Sequence, residues 1–272
     1  VIGVAAVASR DVQQVVTNRN YSQLYDNAEN GILEFVDKYG DIDQPLVSLT
    51  NPANIPSGYN CQPDIAIPGA YKCTRTDGTD VNELTIYESK DVVEYELAKD
   101  KSFLVDLGGY RGNLQFTWTG DTALEFGLVY TNAGKYYMIG DLYDTNTPTV
   151  FTDNGGDPLS DPQGNHKFAF TSLAGGVQFN VGSTIDLPAG AATLYLRVTA
   201  RMQDNPGSTL LSISGPGAGF RNQVRVFHSY SYSSLDDVDV LADVVTQVPL
   251  FPQVAPIFHY VLLVDSAVTK SL

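Results

Sequence analysis

The residues of this sequence that could perform nucleophilic or acid–base chemistry are few and widely separated. Its three histidines are His166, His228 and His259, and no serine lies in a G-x-S-x-G segment of the kind that exposes a nucleophile. Neither Cys61 nor Cys73 lies in a local sequence typical of a protease nucleophile. We therefore expect three unrelated histidines, no catalytic triad, and a protein that is not an enzyme.

One pair of carboxylates has a spacing that could support glycoside hydrolysis. Glu94 and Glu96 are two residues apart, which places both on one face of a strand. Glycosidases hold two carboxyl groups about 5–10 Å apart, and this pair meets that requirement. The charged flanking residues, typical of a solvated edge strand, are Lys90, Asp91, Lys99 and Asp100. We favour the solvated strand and keep a jelly-roll glycosidase as the less favoured alternative.

A polar segment over residues 141–166 holds the best candidates for metal ligands. Asp153, Asp157 and Asp161 supply carboxylate oxygens near two glycines, and calcium binds about six to eight oxygen ligands. The spacing differs from that of an EF-hand and lacks its closing glutamate. Two interpretations stay open: these aspartates bind calcium, or they belong to a solvated loop. No other cofactor is expected.

The charge balance argues against a protein that binds nucleic acid through its overall field. Asp and Glu number 31 against 16 Lys and Arg, which gives a net charge of -15. A surface of this charge repels phosphate, so we expect no strong direct binding to nucleic acid. The glycine-rich segment 215–219 is not followed by a Lys-Ser or Lys-Thr pair and is not expected to bind phosphate.

Two features bear on the cellular compartment. The apolar run 1–8 is too short to span a bilayer, and we interpret it as a mature amino terminus left by cleavage of a precursor. No other segment reaches membrane-spanning length, so no membrane span is expected. Eleven residues separate Cys61 from Cys73, a spacing that agrees with a disulfide and with two reduced thiols alike. We predict that the pair is not required for folding.

The spacing of apolar residues divides the first part of the chain into an arm, a helix and a loop-rich segment. Residues 1–20 are expected to form an extended arm, and residues 22–39 a helix that Gly40 ends. The apolar face of this helix consists of Ile32, Leu33, Phe35, Val36 and Tyr39. Residues 41–80 are rich in proline, which excludes central strands and long helices, so we expect loops there.

From residue 83 onward, apolar residues alternate with polar ones, as they do in half-buried strands. We count eight to ten such segments at a spacing of roughly ten residues, with no helices between them. This pattern predicts an all-β fold: an antiparallel β-sandwich of the jelly-roll type with long loops, the amino-terminal arm and one or two short helices. The side chains expected to face the core are Leu114, Phe116, Trp118, Phe126, Leu128, Val177, Phe179, Leu194, Leu196, Val224 and Val226.

The end of the chain holds a long alternating strand and an apolar tail. The alternation places Val224, Val226, His228, Tyr230 and Tyr232 on one face of that strand. The run Ile257–Val264 is apolar apart from His259, and an exposed run of this kind is a hazard for aggregation. We predict that it is buried, preferably against a neighbouring subunit, with a strand of its own subunit as the alternative.

We expect a single domain over residues 1–272, because neither an interdomain linker nor an internal repeat interrupts the sequence. Residues 1–82 are then the arm, the helix and a loop-rich lead-in. Residues 83–235 are the strands of the sandwich. Residues 236–272 are a C-terminal extension or the last strand.

The order of the strand segments between residues 100 and 235 carries a family resemblance. The segments concerned are Tyr110–Trp118, Ala123–Tyr130, Val177–Val181, Ala192–Ala200 and Val224–Tyr232. Together they resemble the jelly-roll coat proteins of small icosahedral, picornavirus-like positive-strand RNA viruses. The present chain departs from that family by continuing well beyond its last matching strand.

The resemblance implies a structural capsid subunit that assembles with other coat-protein chains into an icosahedral shell. The implied partners are further capsid subunits, in homo- and hetero-oligomers, together with a host receptor. The implied location is the virion, assembled in the host cytoplasm. The alternative is a secreted or cell-surface β-sandwich that binds carbohydrate, for which 16 tyrosines and Trp118 would supply stacking rings.

Overall fold

A computed structural model describes residues 22–40, 44–120, 122–143, 167–202, 208–235 and 238–250 of the chain. In this part of the chain one α-helix, three short 3-10 helices and fourteen strands are formed. Helix α1 covers residues 22–39. The strands are β1 (Asn60–Pro63), β2 (Tyr71–Asp77), β3 (Asp80–Ser89), β4 (Val92–Ala98), β5 (Ser102–Asp106), β6 (Asn113–Trp118), β7 (Thr122–Asn132), β8 (Lys135–Tyr143), β9 (Thr171–Leu173), β10 (Gly176–Asn180), β11 (Ala192–Met202), β12 (Ser208–Ser214), β13 (Val224–Leu235) and β14 (Val238–Pro249).

The chain divides into two compact units. Unit 1 combines the described residues from 22 to 89 with those of Val224–Leu250, and it contains α1, β1 to β3, β13 and β14. Unit 2 consists of the described residues within Lys90–Gln223, and it contains β4 to β12. The expectation of a single domain stays a prediction.

Unit 1 is a five-stranded antiparallel sheet in the order β1-β2-β3-β13-β14. Strand β13 pairs with β3 on one side and with β14 on the other, over long registers without a shift. The sheet therefore joins the two ends of the described chain. Backbone hydrogen bonding alone fixes which side chains of the two segments become neighbours.

Helix α1 forms where the sequence predicts it and packs its apolar side on one face of this sheet. Ile32, Phe35 and Tyr39 are buried in a cluster that also includes Leu84 and Phe227 of the sheet. Burial of each such side chain stabilises the fold by about 1.5–3 kcal/mol. The prediction is wrong for Leu33, which is 57% exposed on the other side of the helix. The predicted helix over residues 22–39 is confirmed, and it ends at Gly40 as predicted.

The expectation of loops throughout residues 41–80 is wrong for two segments. Strand β2 lies inside the sheet, and β1 lies at its edge. The prolines do not prevent this arrangement, since β2 contains none and Pro63 is the last residue of the edge strand. Tyr71 and Cys73 of β2 are buried, so the segment is part of the core of unit 1.

Cys61 and Cys73 form a disulfide that joins β1 to β2. The two residues are directly opposite each other in the antiparallel register. The side chain of Cys73 is buried, and Cys61 packs against the same apolar cluster. The sequence left the bridged and reduced states open, and the fold decides for the bridged state.

Unit 2 is a sandwich of two antiparallel sheets. One has the strand order β4-β12-β6-β10-β9, and the other has the order β5-β11-β7-β8. Aromatic rings fill the space between them: Phe116 of the first sheet contacts Phe126 of the second at 5.0 Å between ring centroids. Phe126 also contacts Phe179, and Phe168 packs against both. The predicted all-β antiparallel sandwich is confirmed.

The prediction of core-facing side chains is confirmed at nearly every position. Leu194 is only half-buried, and the others are buried. Two of the predicted residues, Val224 and Val226, belong to the sheet of unit 1 rather than to the sandwich of unit 2. Alternation along a strand predicts burial, but it does not say which sheet the strand joins.

Candidate functional site

The two carboxylates considered for glycoside hydrolysis lie on an exposed edge strand. Glu94 and Glu96 belong to β4, at the edge of its sheet, and both are exposed. Glu94 has a φ of 49°, at an irregularity where the register with β12 shifts. The side chain of Ser208 donates to Glu96 at 2.6 Å, and the Ser212 hydroxyl accepts from the Glu94 amide at 2.9 Å. The regular alternation that would place both carboxylates on one face of the strand is therefore interrupted at Glu94.

Of the three histidines, only His228 lies in the described part of the chain, since His166 and His259 are outside it. Its Nε2 atom is 2.7 Å from Oδ1 of Asp243. Its ring contacts Tyr230, with 4.2 Å between centroids. A histidine oriented by a carboxylate matches two members of a Ser-His-Asp triad. The neighbouring serines, Ser229 and Ser231, are buried on the opposite face of the strand and therefore cannot act as the nucleophile beside His228.

The predicted calcium ligands Asp153, Asp157 and Asp161 lie outside the described residues. Across the described ranges, no group of three or more His, Cys, Asp or Glu side chains is placed to hold a metal ion. The calcium site therefore stays a prediction. Separately, none of the helices described here combines the length and apolar character needed to cross a membrane.

The most distinctive exposed surface of unit 1 is an aromatic face on its sheet. We call it the tyrosine face and define it by Tyr87, His228, Tyr230 and Tyr232. Alternation along β13 directs Phe227 and Ser229 to the buried side, toward the core with α1, and the ring-bearing residues to the other side. All four defining side chains are partly exposed.

Carboxylates flank the tyrosine face on both sides. In the register of the sheet, Tyr230 lies between Glu83 of β3 and Asp243 of β14. Glu83 accepts from Lys72 at 2.6 Å and from the Tyr232 hydroxyl at 3.4 Å. Because each carboxylate is held by a neighbouring donor, its position is fixed, and carboxylates retain further acceptor sites beyond one or two bonds.

Two pKa shifts describe the electrostatics of the face. Burial raises the pKa of Tyr230, and the nearby Asp243 and Tyr87 raise it further. The hydrogen bond that Lys72 donates to Glu83 raises the pKa of Lys72, with partial burial acting in the opposite direction. Tyr230 is therefore a neutral phenol and Lys72 a cation at ordinary pH, so the face presents hydroxyl donors beside carboxylate acceptors.

The sequence predicted the shared face of these rings, but it predicted no binding site there. The grouping of His228, Tyr230 and Tyr232 on one face follows from their spacing, and the structure agrees. Sequence reasoning considered Asp243 only as part of an acidic cluster that could bind calcium, and it did not place Glu83 or Asp243 beside Tyr230, because that approach depends on the pairing of β3 and β14 with β13. The only available signal was the alternation around residues 84–86, which fixes the face of Glu83 but not its neighbours.

Comparisons with known proteins add little. No family model matches the chain, and no curated protein matches it. Among solved structures, the collagen binding subdomain of Enterococcus faecalis surface protein ACE is similar at 8% identity, over 72% of this chain and 98% of that chain. The TM-score of that likeness is 0.16, which is too low to carry an argument about fold or function.

Proposed function

We propose that this chain is a secreted or cell-surface binding protein that acts through a β-sheet surface rather than through catalysis. The observation that carries the proposal is the Cys61–Cys73 disulfide in the core of unit 1. Disulfides form and persist in oxidising compartments and are rare in the cytosol. A buried bridge between adjacent strands therefore favours an extracellular location over assembly in the host cytoplasm.

The partly exposed tyrosine face supports a binding role. Tyrosines combine a large apolar ring with a polar hydroxyl, and for that reason they are common at recognition surfaces. The sheet that carries Tyr230 and Tyr232 is rigid, since β13 is paired along its length on both sides. A rigid surface loses little conformational freedom when it binds a ligand.

The location is tested by counting thiols in the protein as it is isolated from the cells that make it. Acid-quenched samples are alkylated under denaturing conditions and weighed by mass spectrometry. We expect no label on Cys61 or Cys73 without reductant, and two labels after reduction as the control. Two labels without reductant would overturn the extracellular proposal, because they would show that the pair is reduced in its own compartment.

A second candidate function, the capsid subunit, is favoured by the strand pairing of unit 2. Strand β7 pairs with β8, β6 with β10, β5 with β11 and β4 with β12. Taken in this order, the two strands of each pair lie outside the previous pair in the sequence. This is the pairing of one long hairpin that is folded into two sheets. We infer a jelly roll from this nesting, an architecture that viral capsid and lectin domains share.

The capsid candidate is tested by the size of the purified full-length protein. A coat subunit would form very large particles on size-exclusion chromatography and closed shells in electron micrographs. A surface binding protein would elute as a small species. The apolar run Ile257–Val264, which lies outside the described residues, offers a matched variant. Deleting residues 251–272 from a coat subunit would leave a folded chain that no longer assembles.

A further inference from the structure

We propose that the tyrosine face binds a neutral saccharide chain. This inference rests on the proposed binding function and gives that function a ligand class and a site. The ligand is an oligosaccharide or polysaccharide without carboxylate or sulfate groups. Its sugar rings would lie on Tyr230 and its neighbours, and its hydroxyl groups would donate to Glu83 and Asp243.

The aromatic residues form a platform long enough to contact more than one sugar ring. His228 and Tyr230 are in ring contact at 4.2 Å, and Tyr232 follows two residues later on the same face. The Cα atoms of residues two apart in a strand are separated by about 6.8 Å, so the backbone from His228 to Tyr232 spans about 14 Å, while the rings of His228 and Tyr230 lean toward each other along this row. A pyranose ring carries an apolar C–H side that packs on an aromatic ring. The length of the row suits a chain of sugars better than a single one.

Hydrogen-bond acceptors border the platform where hydroxyl groups would lie. Oδ1 of Asp243 contacts His228 at 2.7 Å, and Oε2 of Glu83 contacts Lys72 at 2.6 Å. Each carboxylate has about four lone-pair positions, so neither is saturated by these partners. Asp243 is half-exposed, with 49% of its side chain open to solvent. Sugar hydroxyls are donors that such oxygens can accept.

Charge decides between neutral and anionic saccharides. The chain carries a net charge of -15. Beside Tyr230, Lys72 offsets the charge of its partner Glu83, and Asp243 adds a further negative charge. Uronate or sulfate groups would be repelled both by the overall field and by Asp243. Neutral sugars meet no such penalty.

A second group of exposed tyrosines is a weaker candidate. Tyr136 and Tyr137 of β8 are exposed by 76% and 42%. As consecutive residues of a strand, they point to opposite faces of the sheet and cannot form one platform. Tyr137 stacks on Tyr130 instead. Tyr136 therefore serves as a matched control, because it is an exposed aromatic ring outside the tyrosine face.

Calorimetric titration of the full chain tests the proposal. The probes are neutral hexasaccharides of β-1,4-linked glucose and of β-1,4-linked N-acetylglucosamine, and an anionic oligogalacturonate of the same length. We expect the neutral probes to bind more tightly than the anionic one. Replacing Tyr230→Ala should weaken neutral binding by about tenfold or more, which corresponds to about 1.4 kcal/mol. Tyr230→Phe, which keeps the ring, should retain most of it, and Tyr136→Ala all of it.

A second variant reports on the charge argument without removing a ring. The double replacement Glu83→Gln and Asp243→Asn should lower the preference for neutral over anionic probes by about fivefold or more, because it removes two negative charges from the face. An unchanged preference, tighter binding of the anionic probe to the native chain, or loss of binding in Tyr136→Ala would each overturn the proposal. Absence of binding to both neutral probes would also overturn it. In that case the extracellular proposal would still be judged by its thiol count.

Discussion

The side chain of Asn82 on β3 lies directly beneath Gly31 of helix α1, and a Cβ atom at position 31 would come within 2.9 Å of its Oδ1 atom. The same Cβ would approach the Tyr59 hydroxyl to 2.6 Å. That hydroxyl donates to Asn82 Oδ1 at 2.9 Å, and the Asn82 amide donates to Ser229 and Ser231 of β13. A glycine in the helix thus lets a buried polar network join the helix to the sheet.

Replacing Gly31→Ala should destabilise unit 1, although alanine usually favours a helix by about 0.5–1 kcal/mol over glycine. The added methyl group must displace Tyr59 or Asn82, and overpacking of this kind costs about 1–3 kcal/mol. Urea denaturation followed by circular dichroism measures the change. Asn30→Ala, at an exposed position of the same helix, is the control and should be neutral or slightly stabilising. A stabilised Gly31→Ala variant would show that the helix does not approach the network so closely.

Replacing Arg225→Met should cost about 1–3 kcal/mol of the free energy of unfolding, because it removes the donor of buried hydrogen bonds. The guanidinium is 1% exposed, and it donates to the backbone carbonyls of Tyr39 and Gln44 and to Glu88 at 2.8 Å. Its loss leaves a carboxylate and the end of helix α1 without this donor. Lys167→Met, at an ion pair whose partners are 49% and 70% exposed, should change stability by less than about 1 kcal/mol. Equal effects of the two variants would contradict this account.

Reduction of the Cys61–Cys73 bridge should lower the melting temperature without unfolding the protein. The bridge closes a loop with a sequence separation of 12, for which chain entropy predicts about 3 kcal/mol. For a protein of this size that corresponds to a drop of no more than about ten degrees. Differential scanning calorimetry of the Cys61→Ala, Cys73→Ala double variant gives the value. Failure of that variant to fold would show that the bridge is required.

Replacing Trp118→Ala should destabilise unit 2 by about 3–5 kcal/mol. The indole ring is 8% exposed, and its Nε1 atom donates to the Thr122 carbonyl at 2.7 Å. The variant loses both the buried area and this hydrogen bond. Tyr136→Ala is the comparison, since it removes an exposed ring and should change stability by less than about 0.5 kcal/mol. Chemical denaturation followed by near-UV circular dichroism distinguishes the two outcomes.

Unit 1 should lose stability at alkaline pH because of Tyr59. Burial raises the pKa of Tyr59 to about 12, and Arg75, 4.6 Å from its ring centroid, offsets part of that shift. In the unfolded chain the phenol ionises near pH 10, so between about pH 10 and 12 the unfolded state releases a proton that the folded state keeps. The free energy of unfolding should fall by about 2–3 kcal/mol across this window.

The comparison that isolates this effect is Tyr59→Phe. At pH 8 the variant should be less stable by about 1 kcal/mol, since it lacks the hydrogen bond to Asn82. From pH 10 upward the difference should shrink, because phenylalanine has no proton to lose. Urea titrations of both proteins at several pH values supply the measurement. Parallel pH profiles would mean that Tyr59 ionises equally readily in the folded and unfolded states.

The sequence by itself determined the elements whose burial follows from local spacing. Apolar residues three and four apart fixed helix α1 over residues 22–39, and strict alternation predicted the buried side of Leu114, Phe116 and Trp118. These patterns suffice because a helix or a strand directs side chains with a fixed period. The same rule grouped His228 with Tyr230 on one face of β13.

Only the tertiary structure decided which elements become neighbours. Strand β2 lies in a proline-rich part of the sequence that predicted loops, and its place in the sheet follows from its pairing with β3. Glu83 and Asp243 lie on either side of Tyr230 because β13 pairs with β3 along one edge and with β14 along the other. No local pattern in the sequence encodes the registers of these two pairings. Pairing of distant strands is selected by the burial of whole faces at once. For that reason the rings of the candidate site could be predicted from the sequence, while the carboxylates beside them could not.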